Sequence, residues 1–191
     1  AVHNGRLSEE VLQDSDLALL EKLRLVENQQ LKRAAVLLFH SDPECLVTNS
    51  YIKIGFFADE HANLIHHDEV HGNLFDQVFN TIELLKLKYF KGMISYDGIV
   101  RQEIYPVPLE ALREAVLNAV VHKDYASAAP IQISVYPDKL MIWNPGVLPE
   151  NWTLETLLGK HSSRPFNPDI ANTFFRSGLI ESWGRGIERI I

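Results

Sequence analysis

The stretch "LREAVLNAVVHKDY", residues 112–125, reads as an amphipathic helix with an unusual edge. Leu112, Ala115, Val116, Ala119 and Val120 recur at i, i+3, i+4, i+7 and i+8, the spacing of one apolar helical face. Glu114, Asn118 and His122 fall one turn apart along another edge. A solvated helix edge accounts for that spacing, and so do ligands aimed at one site. The chemistry open to the second reading is specific. An asparagine oxygen ligates Mg²⁺ without adding charge, usually beside phosphate oxygens, and a glutamate one turn earlier can orient or deprotonate water. ExxxN alone is too common to decide between the readings. At the helix end, "HKDY" suits a contact of His122 or Lys123 with the negative end of the helix dipole.

Outward from this helix, the chain alternates between hairpins and helices. "APIQISVYPDKLMIWNPG" (129–146) reads as a hairpin around Pro137–Asp138, and "GMISYDGIVRQEIYP" (92–106) as another around Asp97–Gly98. "YIKIGFFA" (51–58) alternates as a strand does, and "ANLIHHDEVHGN" (62–73) is a second strand running into a polar loop. Leu74, Val78, Ile82, Leu85 and Tyr89 give 74–90 a helical period. Residues 8–40 are helical in character, with a weak start signal at Ser8 and a break near Glu27–Asn28–Gln29. After Gly146 come turns and short helices. This order predicts an α+β fold, a two-layer α/β sandwich with mostly antiparallel hairpins. Residues 1–105 are expected to form an N-terminal helical and strand segment packing on or leading into a core at 106–191.

The chain has 191 residues, 46% of them apolar, which is ample for a core. No apolar run approaches the roughly 20 residues that cross a bilayer, and "AVHNGRLSEE" lacks the pattern of a signal peptide. A single cysteine excludes an internal disulfide and fits a reducing cytoplasm; Cys45 is expected to be a semi-buried spectator. The formal charge of −7 argues against this chain gripping a phosphate backbone by itself. With no initial Met and an end inside "GIERII", it is expected to be part of a longer polypeptide.

Three further features bear chemistry. "IWNPGVLP" (142–149) is a strand entering a sharp turn, with Gly146 suited to a positive φ. "GRGIER" (184–189) is either a glycine turn before a helix or a set of bare amides at a helix start that would face an anion. His61, His66, His67, Asp68, Glu69 and His71 crowd one segment. As a strand it would place His67, Glu69 and His71 on one face and His66 and Asp68 on the other. The spacing matches no established zinc motif, and an exposed strand-to-loop edge explains it equally. Trp143, Trp152 and Trp183 read as packing residues.

A helix with ExxxN, a strand ending in a glycine turn, a variable segment and then GxG is the motif order of the GHKL-type (Bergerat) ATPases. The chain resembles most closely a divergent branch similar to the C-terminal region of the RecG helicase. That branch occurs in predicted transcriptional regulators with Schlafen/AlbA-type and winged-helix DNA-binding domains. The resemblance is carried by "AVLLF", "GNLFD", "YPVPLEALREAVLNAVVHKDY", "DKLMIWNPGVLP", S-x-R-x-x-NP and "LIESWGRGIERI", in order, over about residues 30–191. It implies a GHKL-type sandwich whose core binds ATP with Mg²⁺. Asn118 would hold the Mg²⁺ and Glu114 would be the water-activating base. Asn144 and Gly146 would lie under the adenine. Ser162, Ser163 and Arg164, with Lys160 and His161, would form a lid, and Gly184, Arg185 and Gly186 would face the phosphates. The implied role is a regulatory module, weakly hydrolytic at most, acting on DNA through flanking domains and able to form a homodimer. The sequence departs from the family at the first glycine box, where Asn144 and one glycine stand in place of DxGxG. An asparagine carbonyl can accept a hydrogen bond from an adenine amino group but brings no charge, and Pro145 removes a backbone donor. Alternative readings are a nucleotide-degenerate structural or dimerisation module, direct DNA processing, and a metal-dependent hydrolase built on the histidines. DNA processing lacks the GxxxxGK[ST] loop of helicase motors.

Overall fold

Alternating burial along short strands builds the main sheet. The computed structural model describes residues 6–59, 63–90, 93–97, 100–159 and 164–181. Strand β3 (Ile52–Phe57) pairs antiparallel with β4 (Leu64–Val70) and parallel with β7 (Ile131–Val135), which pairs antiparallel with β8 (Leu140–Trp143). The order β4-β3-β7-β8 therefore draws strands from both sides of residue 105. A parallel pair needs a long crossover. Here the crossover contains β4, helix α3 (Leu74–Leu84), the separate hairpin β5 (Met93–Asp97) and β6 (Val100–Ile104), and helix α4 (Leu109–His122).

One face of this sheet is apolar and covered. Ile52, Ile54, Ile131, Ile133 and Val135 are buried against Leu74 and Val78 of α3 and Leu112, Val116 and Val120 of α4. Two more helices, α2 (Arg33–Phe39) and α6 (Pro168–Ser177), add Leu37, Leu38 and Phe174 to the same core. The opposite face carries Gln132, Met141 and Trp143, all exposed. The fold is thus the two-layer α+β sandwich that the hairpin order predicts, and both expected hairpins pair. In the earlier one, Asp97 lies opposite Val100, and the expected turn residue Gly98 lies outside the described residues.

The N-terminal tract differs from its helical expectation. It holds a 3-10 turn at Glu9–Gln13, helix α1 (Asp16–Lys22), a two-residue hairpin of β1 (Val26–Glu27) and β2 (Gln30–Leu31), and then α2. Asn28 and Gln29 both have positive φ (49° and 62°), which a right-handed helix forbids and a tight hairpin turn requires. Ser8 precedes the 3-10 turn but makes no side-chain cap; Ser15 caps α1 instead, accepting from the Ala18 amide at 3.3 Å. Cys45, expected to be semi-buried, is exposed on a 3-10 turn, where its thiol lies 2.9 Å from the Asp42 carbonyl.

The histidine strand divides as its alternation predicts. His66 stacks on Phe56 and meets Tyr89, while Asp68 on the same face accepts from Lys88 Nζ at 2.7 Å and Tyr89 OH at 2.5 Å. A π turn at Leu85–Tyr89 presents these two consecutive residues to one carboxylate. Those two bonds hold the Asp68 carboxyl below its ordinary range, and burial pushes the Tyr89 hydroxyl up. Among the described residues, no three His, Cys, Asp or Glu side chains are grouped to hold a metal, and His61 lies outside them.

His71 stacks on Tyr51 and places Nδ1 2.5 Å from Glu44 and Nε2 3.4 Å from Glu69. The hydrogen bond to Glu44 raises its pKa above the ordinary histidine value. A raised folded-state pKa gives stability that is present in full below about pH 6.5 and is lost as pH rises through the folded value. Comparing wild type with His71→Ala by urea unfolding, we expect the stability difference to be largest near pH 5.5 and to shrink toward pH 8. Inside the core, Gln77 Nε2 donates to the Ser50 carbonyl at 2.5 Å and the Gly72 carbonyl at 2.6 Å. Gln77→Leu strands both acceptors and is expected to lower unfolding stability by about 1–3 kcal/mol, read by the same titration.

Candidate functional site

Helix α4 begins after Pro108, which fixes its backbone without donating an amide. Ala111, Leu112, Val116, Leu117, Ala119, Val120 and Val121 are buried, so the helix is covered on most of its circumference. Glu114, Ala115, Asn118 and His122 form its half-buried stripe. The edge is therefore not freely solvated. Asn118 Nδ2 lies 3.4 Å from Glu114 Oε1, longer than a strong hydrogen bond. That orientation turns the Asn118 carbonyl oxygen away from the carboxylate, the arrangement a hard cation needs from an amide ligand. Burial pushes the His122 pKa down, so its ring is neutral at pH 7.

The carbonyl end of α4 is held by side chains from later in the chain. Tyr125 OH donates to the Val120 carbonyl at 3.1 Å. Asn167 Nδ2 donates to the carbonyls of Val121 (2.8 Å) and Lys123 (2.7 Å), and the Asn167 amide also reaches Val121. Lys123 is buried, with its pKa lowered by desolvation, and donates to Asp124 O and Ala129 O. The expected dipole contact by His122 or Lys123 is thus corrected: Tyr125 and Asn167 take the last carbonyls, while Lys123 closes the loop that follows. Asn167 stands before Pro168, a pattern legible as a helix start; its reach back to α4 is tertiary and left no local signal.

The turn after β8 is seated on the same helix end. The Gly146 amide donates to Asn144 Oδ1 at 2.6 Å, an Asx turn. A Cβ at position 146 would lie 2.2 Å from the His122 carbonyl oxygen and 2.5 Å from Asn144 Oδ1. Gly146 does not have a positive φ, contrary to expectation; close approach to α4 is what demands glycine there. The structure thus brings Asn144 and Gly146 to the end of the helix whose stripe carries Glu114 and Asn118. Arg164 is exposed. Lys160, His161, Ser162, Ser163, Gly184, Arg185 and Gly186 lie outside the described residues.

Helix α6 leads toward that last segment. It ends in a Schellman motif, with Gly178 at φ 86°, Leu179 N donating to Phe174 O at 2.8 Å and Gly178 N to Phe175 O at 3.0 Å. Two arginines satisfy the exposed carbonyls: Arg6 reaches Phe175 O and Ile180 O, and Arg113 reaches Leu179 O. Arg113 thus ties the end of α6 to the helix that carries Glu114 and Asn118. A separate cavity of about 220 Å³, lined by Arg33, Leu37, Asp124, Tyr125, Phe166 and Asp169 among others, includes none of the candidate residues.

The class the fold defines is a two-layer α+β sandwich. Residues 128–191 match the model of a family described as "Putative ATP-dependent DNA helicase recG C-terminal". That match supports a divergent GHKL-like, ATPase-type module in this C-terminal part of the chain. The matched segment holds β7, β8 and the Asn144–Gly146 turn; Glu114 and Asn118 precede it. In fold, the chain is similar to the DIP2311 protein from Corynebacterium diphtheriae, at a TM-score of 0.77 and 22% identity over 97% of this chain. It spans 37% of the length of that structure. No curated protein matches it.

Because Gly146 abuts a backbone oxygen that is itself part of a helix, neither side can yield cheaply. Gly146→Ala is expected to destabilise the protein by about 1–3 kcal/mol, the range for forced overpacking, with urea unfolding as the measurement.

Proposed function

We propose that the chain binds a nucleoside triphosphate with Mg²⁺ and relays its presence to attached DNA-binding domains of a transcriptional regulator. The observation that carries this reading is the half-buried stripe on α4, where Asn118 Nδ2 lies 3.4 Å from Glu114 Oε1, so that its amide oxygen is not the atom facing the carboxylate. One neutral protein ligand plus phosphate oxygens suits Mg²⁺. In this scheme Asn118 holds the metal, Glu114 positions or deprotonates water, and Asn144 with Gly146 borders the base. Ser162, Ser163 and Arg164 close over the phosphates, and Gly184, Arg185 and Gly186 offer backbone amides to them. The reading is supported by the Asn144–Gly146 turn packing on the end of the helix that carries Glu114 and Asn118. ATP is the ligand implied by the family description, the cytoplasm is the expected compartment, and pairing of two copies is the expected mode of signalling.

A structural or dimerisation module without nucleotide is the second reading. It is favoured by one observation: the contact with the His122 carbonyl accounts for Gly146 by packing alone.

Calorimetric titration of the purified chain with Mg²⁺ complexes of ATP, GTP and ITP separates the two. The nucleotide reading expects saturable heat with at least one of them, and a Kd raised about tenfold or more (1.4 kcal/mol) by Asn118→Ala. Absence of heat with all three leaves the structural reading. Phosphate release that is lost in Glu114→Gln is the further result required for hydrolysis.

A further inference from the structure

The cavity of about 220 Å³ that holds none of the nucleotide candidates is walled by three segments: α2, the loop after α4 and the start of α6. Much of that wall is apolar. Leu37, Tyr125 and Ile170 are buried, and Phe166 stands 44% exposed beside them. An apolar space of about 150 Å³ is enough for a benzene-sized group, so this one has room for such a group and a few polar atoms besides.

Charges of both signs border the same space: Arg33, Asp124 and Asp169. Asp169 is engaged, with Lys32 Nζ 3.1 Å from its Oδ2. Arg33 is exposed and Asp124 half-buried, and neither forms an ion pair with the other or with any described residue. Asp124 Oδ1 accepts from the Ala126 amide at 2.8 Å, which leaves Oδ2. The nearby Lys123 ammonium feels the charge of Asp124 but spends its hydrogen bonds on the Asp124 and Ala129 carbonyls. Opposite charges that line one cavity yet stay more than 4.0 Å apart leave a gap that a ligand with two charges of its own can bridge. A carboxylate with a spare oxygen suits an ammonium, and a guanidinium fork suits a carboxylate.

We infer that this cavity binds a small zwitterion with an apolar tail, an α-amino acid of the phenylalanine or leucine type. Its ammonium lies on Asp124, its carboxylate on Arg33, and its side chain against Leu37, Phe166 and Ile170. The inference does not depend on the nucleotide reading. Tyr125 and Asn167, which hold the last carbonyls of α4, also line the cavity, so its occupant rests against the clamp on that helix end.

Calorimetric titration of the full chain with L-phenylalanine, phenethylamine and 3-phenylpropanoate tests it, because the last two each lack one of the charges. Wild type is expected to bind L-phenylalanine saturably and each of the others about tenfold or more weakly, the scale of one hydrogen bond to a charged group. Arg33→Met is expected to remove the preference over phenethylamine. Asp124→Asn, which keeps an oxygen for the Ala126 amide, is expected to remove the preference over 3-phenylpropanoate. Absence of saturable heat with both L-phenylalanine and L-leucine overturns the inference. So does wild-type binding of either one-charge compound as tightly as L-phenylalanine, or a preference that both variants retain.

Discussion

The carbonyls at the end of α4 are the constraint on which the rest of the site depends. The last four carbonyls of any helix have no partner within it, and at a buried helix end each must find one elsewhere. Here they recruit residues far apart in the chain. Val120 takes Tyr125, Val121 and Lys123 take Asn167, and Gly146 presses its bare Cα on His122. Satisfying this helix end therefore fixes the start of α6 through Asn167, while the turn after β8 packs sterically beside the His122 carbonyl. Asn144 is thus brought beside the end of the helix that carries Asn118.

The second tie between α4 and α6 lies at the far end of α6. Arg113, on α4, bonds the Leu179 carbonyl, and Arg6 bonds the Phe175 and Ile180 carbonyls while its guanidinium lies 4.5 Å above the Phe175 ring. A guanidinium at a helix C-terminus is favoured by the dipole as well as by its hydrogen bonds. Helix α6 is thus fixed to α4 at both its ends, through Asn167 at its start and Arg113 after its finish. Rotating α4 about its axis would have to break both ties, so the direction of the Glu114–Asn118 stripe is mechanically coupled to α6.

Much of the fold was legible because two periods dominate it. Alternation in 129–146 and helical spacing in 112–122 are local properties, and each reappears as the expected element. The tract at 8–40 misled because apolar spacing continued across Asn28–Gln29, where the backbone takes a left-handed turn that composition marks only weakly. The site divides along the same line. Glu114 and Asn118 were readable as a pair because their spacing is local. The role of Gly146 was assigned to backbone conformation when it belongs to close packing, since the oxygen it meets is 24 residues away in sequence. Asn167 escaped for the same reason: a helix-start asparagine whose side chain serves a different helix leaves no trace at its own position.

Charge sets a final condition on the proposed chemistry. A chain with a formal charge of −7 repels a triphosphate at long range, so affinity would have to come from short-range groups within the site. The α4 stripe is suited to that task through its economy of charge. It carries one carboxylate, Glu114, while Asn118 and His122 contribute polar atoms that are neutral at pH 7, the latter because burial disfavours its protonation. An aspartate in place of Asn118 would bind a bare cation more strongly and a cation–phosphate complex less selectively, because its charge would also repel the phosphate oxygens. In the proposed scheme, neutral ligands would leave Mg²⁺ to complete its coordination with phosphate oxygens.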